Sequence, residues 1–143
     1  MIVNRETVYN ALFDRLKTIE GLRTSSRTLK HWTDVPAAQQ PALFVSHKSE
    51  STDPRPNGAP PKKTLMLDVY VYVKTQNQTP STALNRLLQA VDEALKPDTP
   101  PQMGLCTLGG LVAHCWIEGT TETDEGVLGD QAVAIIPIHI LCH

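Results

Sequence analysis

The residues best suited to chemistry are the cysteines and histidines in the second half of the chain. They are Cys106, His114, Cys115, His139, Cys142 and His143. A metal site needs several ligand atoms that converge on one centre. His139 and Cys142 differ by three residues, so in a strand their side chains point to opposite faces. The spacing therefore predicts no metal site, and the sequence indicates no cofactor.

A nucleophilic cysteine is the catalytic alternative. It needs an exposed thiol of low pKa beside an imidazole and an orienting acid. Cys115 and Cys142 fall on inward positions of apolar strands, and Cys106 lies in a loop with no implied base. The nearby Gly109-Gly110 pair lacks the spacing of a phosphate-binding loop. We therefore expect no enzyme, and a small Cys/His enzyme is the least favoured alternative.

Length and charge favour one domain without affinity for nucleic acid or membranes. The chain has 143 residues, 41% of them hydrophobic, and a formal net charge of -2. This length suits a single domain over 1–143, and so mild a charge does not attract nucleic acid. The terminal apolar run is about a dozen residues long, whereas a membrane helix needs roughly 20. Three cysteines without paired spacing favour a reducing cytoplasm, and the polar first residues predict no signal peptide.

Hydrophobic periodicity places two helices and about five strands around these residues. The helices are predicted at 4–20, capped by Asn4, and at 80–96, capped by Thr79. The strands are predicted at 22–32, 42–50, 64–76, 108–119 and 129–143. The order α-β-β-β-α-β-β indicates an α+β fold, with a mainly antiparallel sheet and both helices packed on one face.

Apolar residues are also predicted on the sheet face opposite the helices. They are Tyr70, Tyr72, Val112, Trp116, Val133 and Ile135. An apolar patch of this kind usually marks an interface, so the pattern points to assembly with other protein chains.

Two loops complete the predicted architecture. Residues 51–63 are rich in proline and are predicted to form an exposed loop, with Arg55, Asn57, Lys62 and Lys63 as candidate contact residues. Residues 119–130 are predicted to form a long hairpin loop. We expect its acidic residues Glu122, Asp124 and Glu125 to face a channel or a neighbouring subunit.

The whole organisation resembles the tail terminator (tail completion) protein family of long-tailed bacteriophages. The resemblance begins with the opening helix "VNRETVYNALFDRLKTIEGL" and the proline-bounded segment "VPAAQQPALFVSHKSE". It continues with "KKTLMLDVYVYVKTQNQ", which leads into the helix "STALNRLLQAVDEAL". It ends with the closing pair "TLGGLVAHCWIEG" and "DEGVLGDQAVAIIPIHILC". The match rests on the order of these segments and includes no catalytic signature.

This resemblance implies a structural virion protein at the junction of head and tail, made in the cytoplasm of a host bacterium. Such a protein forms a homo-hexameric ring on the tail tube protein, stops tube polymerisation and meets the head-side neck or stopper protein. DNA passes through the lumen without specific binding, and no membrane is involved. Tyr70, Tyr72 and Trp116 are then candidates for the subunit or tube interface. The alternative within this class is another neck or tail component, such as a head-closure or tube protein.

Overall fold

The computed structural model describes residues 3–75, 78–126 and 130–143. The helices and strands of this part are α1 (Arg5–Leu16), β1 (Thr24–Ser26), β2 (Ala42–Asp53), β3 (Lys62–Lys74), α2 (Pro80–Ala94), β4 (His114–Ile117), β5 (Glu122–Asp124) and β6 (Gln131–Leu141). None of the helices in these ranges is long and apolar enough to cross a membrane.

The six strands form one mixed sheet with the order β1-β2-β3-β6-β4, and β5 also pairs with β6. β1 runs parallel to β2, whereas the other neighbouring pairs are antiparallel. The predicted α+β class is therefore confirmed. The strand count and the order of elements along the chain need correction, because the sequence predicted about five strands with two after the second helix, whereas the described residues form six strands with three after it.

The centre of the sheet follows the alternation that the sequence predicts. In β3, Leu65, Leu67 and Val69 are fully buried and face the helices. In β6 the even-numbered residues from Ala132 to Ile140 are likewise buried in this core. The register pairs Leu67 with Ile138 and so places both sets on one face. Removing such side chains from water is the main stabilising contribution, at about 25 cal/mol for each Å² of apolar surface.

The predicted packing of both helices directly on one face of the sheet also needs correction. The α2 backbone lies against β3 and β6, whereas the α1 backbone makes its main contact with α2. α1 reaches the sheet through its side chains, as in the stack of Tyr9 on His47 of β2, whose ring centroids are 4.0 Å apart. Asn4 caps α1 by accepting a hydrogen bond from the Thr7 amide at 3.1 Å, as predicted.

Several predicted boundaries are wrong. α1 ends at Leu16, and of the predicted strand 22–32 only Thr24–Ser26 forms a strand. The predicted strand 108–119 is reduced to His114–Ile117, because Leu108, Gly109 and Gly110 turn with positive φ. The predicted strand ends at Gln76 and Gly129 lie outside the described residues.

Pro137 lies in the middle of β6 without interrupting the pairing of β6 with β3. β4 pairs with residues 138–141 of β6, and β5 pairs with residues 133–135. Pro137 falls in the gap between them, with its backbone directed to the β4 side, where its carbonyl accepts from the Glu118 amide at 3.2 Å. The missing N–H of the proline therefore faces the β4 side just beyond the end of β4, and the ladder with β3 does not depend on it.

Candidate assembly surfaces

The sheet face away from the main core carries a second apolar cluster. Its buried members are Val35, Ala42, Phe44, Tyr72 and Val133, and Trp32, Tyr70 and Ile135 are partly buried against them. Residues 29–35, here named the cover segment, lie over this cluster. The predicted placement of both tyrosines on this face is confirmed. The placement of Val112 is wrong, because Val112 is fully buried in the main core.

The two tyrosines of this face have different environments. Tyr72 is 3% exposed, and its hydroxyl donates a 2.8 Å hydrogen bond to the backbone carbonyl of Lys30 in the cover segment. Burial, and then the neighbouring Tyr70, raise the pKa of Tyr72 to about 12. Tyr70 is only half-buried. Of the two candidate interface residues, Tyr70 therefore offers surface to a partner, whereas Tyr72 holds the cover segment in place.

A groove of 520 Å³ runs between the cover segment and β5. It is lined by Leu29, Lys30, His31, Trp32, Tyr70, Tyr72, Asp124, Val133 and Ile135. We name it the second-face groove. Its floor is aromatic and aliphatic, while Lys30 and Asp124 add opposite charges. A groove with an apolar floor and a few charged groups suits a protein side chain or segment.

The predicted loop 51–63 is the end of a long hairpin. β2 continues to Asp53 and β3 already begins at Lys62, so only residues 54–61 lie outside strands. The pairing of β3 with β6 begins at Thr64, and one further hydrogen bond joins the Cys142 amide to the Lys63 carbonyl at 2.9 Å, so the rest of this hairpin is held mainly by the pairing of β2 with β3. We name residues 51–63 the ribbon. Its proline-rich tip is exposed throughout and turns at Asn57, whose φ is 62°.

The ribbon is anchored at its base by charge. Arg5 of α1 donates two 2.6 Å hydrogen bonds to the carboxylate of Glu50. These bonds hold the pKa of Glu50 below its ordinary value. Lys63 turns back to the same carboxylate at 3.7 Å and donates to Thr52 at 2.9 Å. Lys63 is thus part of the base, whereas the exposed Arg55 and Asn57 are free to face a partner.

The candidate acidic residues lie on and just after an unpredicted strand. Glu122 and Asp124 belong to β5, where they pair with Ile135 and Val133 of β6. Both side chains therefore stand on the face of the second-face groove, and Glu125 follows them in an exposed bend. Residues 127–129 of the predicted hairpin loop lie outside the described residues.

Trp116, the remaining candidate interface residue, belongs to an aromatic row at the β4 edge. It stacks on His114 with ring centroids 4.9 Å apart, and His139 lies 5.6 Å away. The indole of Trp116 donates to Glu118 at 3.0 Å. The ring is half-buried and so presents one part of its surface outward. This row is separate from the second-face groove and forms a second candidate contact surface.

A compact loop that the sequence did not reveal lies between α2 and β4. Asp98 accepts hydrogen bonds from the Thr107 amide and hydroxyl, both at 2.8 Å, and from the Gly109 amide at 3.1 Å. Arg15 of α1 adds a charged bond at 2.8 Å. Burial opposes ionisation of Asp98, but these donors outweigh it and hold its pKa well below the usual range. We name residues 98–113 the Asp98 loop.

The chemistry-bearing residues of the sequence come together only in part. Cys106 and Cys115 are adjacent and buried, and His114 accepts a hydrogen bond from the Cys106 amide at 3.1 Å. Cys142 is buried elsewhere, beside the N-terminal turn of α1. Among the described residues, no group of three or more histidines, cysteines and acids could hold a metal ion.

Comparison with solved structures finds a similar fold in a virion component. The chain resembles one from "Virion of native gene transfer agent (GTA) particle", with a TM-score of 0.53 and 10% sequence identity. The match covers 92% of this chain and 91% of the other. No protein-family model matches the sequence, and no curated protein matches it either. At this identity the likeness shows the fold alone.

Proposed function

We propose that this chain is a structural virion protein, a single tail-terminator-like domain that forms a ring on the head-proximal end of a phage tail tube. The observation that carries the proposal is the similarity of fold, over 92% of the chain, to a component of a gene transfer agent virion. The resemblance of the sequence segments to tail terminators makes the role more specific. The ring ends tube polymerisation and joins the tube to the head-side neck protein.

Ring formation needs two complementary surfaces on each subunit. In a closed ring each contact is heterologous, so one patch of a subunit meets a different patch of the next. The second-face groove supplies an apolar surface with Tyr70 half-buried and Leu29 39% exposed. The aromatic row around Trp116 supplies another surface at a separate edge of the sheet. Both surfaces support self-association into a homo-hexameric ring.

The ribbon is suited to contact the tube. It carries little of the core, since Ser51–Asp53 and the tip are exposed. Arg5 and Glu50 fix its base, so its direction is set while its tip remains available. Arg55, Asn57 and Lys62 are the residues we assign to this contact. Glu122 and Glu125, together with Asp124, are assigned to the lumen or to a neighbouring subunit, where acids repel DNA phosphates and prevent sticking.

The proposed role includes no catalysis. Cys106 is fully buried, and the neighbouring His114 uses Nδ1 to accept a hydrogen bond from the Cys106 amide. His114 therefore does not serve Cys106 as a general base, so the site lacks the cysteine–histidine pair of a hydrolase. The second candidate is another neck or tail component, such as a head-closure or tube protein, because the observed likeness is to a virion component of unspecified role.

The ribbon offers a direct test of tube binding. Asp53 and Lys62 lie opposite each other in the ladder, so residues 54–61 can be replaced by Asn-Gly, the preferred two-residue hairpin turn. We expect this variant to keep the wild-type unfolding temperature, because no core side chain is removed. Tube polymerisation is followed by negative-stain imaging with the tail tube protein of the same phage. The wild type should cap tubes and limit their length, and the variant should not.

A charge-matched pair separates specific contact from net charge. Arg55→Glu alters the ribbon tip, whereas Lys96→Glu makes the same charge change on a lysine that is 68% exposed after α2. The account predicts loss of capping for Arg55→Glu and unchanged capping for Lys96→Glu. Equal capping by the Asn-Gly variant and the wild type would show that the ribbon is not part of the tube interface.

A further inference from the structure

The Asp98 loop brings two free cysteines together. The amide of Cys115 in β4 donates a 2.8 Å hydrogen bond to the carbonyl of Cys106. The thiols of Cys106 and Cys115 are also within hydrogen-bonding reach of each other, so the two side chains point toward each other. A disulfide needs backbones that approach closely and side chains that point toward each other. The backbone hydrogen bond and the contact between the thiols meet both requirements.

A guanidinium group stands beside one of the sulfurs. Nη1 of Arg15 lies 3.4 Å from Sγ of Cys106, and Nη2 of the same side chain lies 2.8 Å from Asp98. Arg15 is held in this position by the Asp98 carboxylate, which itself is fixed by the Thr107 and Gly109 amides. A positive charge in contact with a thiol favours the thiolate, the form that reacts.

We propose that Cys106 and Cys115 form an oxidation site that reacts with hydroperoxides and closes an intramolecular disulfide. The Cys106 thiolate attacks the distal oxygen of the peroxide, which gives a sulfenic acid and releases hydroxide or alkoxide. The Cys115 sulfur then attacks Sγ of Cys106. The sulfenic oxygen takes up the Cys115 proton and leaves as water, so two thiols are oxidised and one peroxide is reduced.

The protonation states of the two thiols agree with these roles. The pKa of Cys106 is lowered to about 6, first by the hydrogen bond from the Cys115 thiol and then, against the opposing effect of burial, by the Leu108 amide and Arg15. The pKa of Cys115 is raised, because its proton is held in this hydrogen bond and the thiol is buried. Burial also raises the pKa of Cys142. Cys106 is therefore the attacking residue, and Cys115 is the resolving one.

Access and setting determine when the reaction takes place. Cys106 is fully buried, but residues 100–104 of the Asp98 loop are exposed, so a local opening admits a molecule as small as hydrogen peroxide. The change to an oxidising environment rests on the proposed function, whereas the reaction of the two thiols does not. A virion protein is made in a reducing cytoplasm and later meets an oxidising exterior, where disulfides persist. The bond would then tie the Asp98 loop to β4 after release.

The test uses the wild-type protein with hydrogen peroxide as the probe. After treatment at pH 7 the protein is denatured and alkylated with N-ethylmaleimide. We expect alkylation to fall from three sites to one, with loss of the mass of two hydrogen atoms and no covalent dimer. Chymotrypsin cuts between the two cysteines, after Leu108 or Leu111, so a cross-linked peptide pair identifies the bond. Cys106 should oxidise at least about tenfold faster than Cys142, because far more of it is thiolate.

Matched variants identify the role of each sulfur. Cys142→Ser should oxidise at the wild-type rate, whereas Cys115→Ser should stop at a sulfenic acid on Cys106 that dimedone traps. Arg15→Lys keeps the charge but replaces the guanidinium that contacts both Cys106 and Asp98 with a shorter side chain, so it should slow the first step. Three alkylated sites after peroxide treatment, or a disulfide that joins Cys142 of two chains, would overturn the proposal. Ring formation by reduced protein is measured separately, so failure of either proposal is recognisable.

Discussion

Replacing Asp98 with alanine tests whether the Asp98 loop is held by its carboxylate. The side chain is 23% exposed and accepts four hydrogen bonds, from two Thr107 donors, the Gly109 amide and Arg15. Truncation removes all four acceptors and leaves the Arg15 charge without its partner. The loop also carries Leu108 and Val112 into the core, so its loosening affects packing as well.

The expected cost follows from these contacts. A hydrogen bond contributes about 0.5 to 1.5 kcal/mol net, and the value is higher when the acceptor is charged. The partial exposure of Asp98 lets water replace some of the lost partners, so we take the lower half of this range for each bond. Four bonds then give about 2 to 4 kcal/mol of unfolding free energy. For a chain of this length the unfolding temperature should fall by on the order of 10 °C.

The assay is thermal and denaturant unfolding of Asp98→Ala beside Asp92→Ala, an exposed aspartate of α2. The control should change stability by less than about 0.5 kcal/mol. Because the pKa of folded Asp98 is lowered, its contribution is full above the unfolded pKa of about 3.9 and is lost as the pH falls below it. The difference in unfolding free energy between the wild type and Asp98→Ala should therefore become smaller below pH 4. Equal stability of Asp98→Ala and the control at pH 7 would refute the reasoning.

Two further substitutions, each with a matched control, test the second face and the turn beside Pro137 of β6. Tyr72→Phe removes the hydrogen bond to the cover segment and should lower the unfolding free energy by about 1 kcal/mol. Tyr70→Phe is the control and should leave it unchanged, because the Tyr70 hydroxyl has no hydrogen bond within the described residues. Absorbance titration should also show Tyr72 ionising near pH 12. Gly119→Ala should lower the unfolding free energy by about 1 to 3 kcal/mol, since φ at this residue is +109° and the new Cβ would lie 3.4 Å from Pro137. Gly126→Ala, where an added Cβ meets nothing within 4 Å, is the control in the same unfolding assay.

The core of the sheet could be predicted from the sequence because its signal is local. Strict alternation in β3 and β6 fixes which side chains enter the main core, and the register that pairs Leu67 with Ile138 satisfies both strands at once. The same alternation placed Tyr70 and Tyr72 on one face correctly. It did not reveal that Tyr72 is buried, because the cover segment comes from a distant part of the chain and has no period of its own.

The missed features depend on contacts between distant residues. β2 extends to Asp53 although aspartate is depleted in strands, because pairing with β3 supplies backbone hydrogen bonds that the local sequence does not predict. The sequence does not reveal the Asp98 loop, because its partner Arg15 lies far away along the chain. An aspartate followed by a Thr-x-Gly segment about nine residues later is a weak signal for such a loop.

The mass of the purified, reduced protein in solution, with negative-stain images of the same sample, tests the central claim most directly. The account predicts a closed ring of identical subunits, formed by the protein alone or after tail tubes are added. Open stacks that grow without limit would indicate a tube protein instead. A stable monomer that never engages tubes would contradict the proposed function.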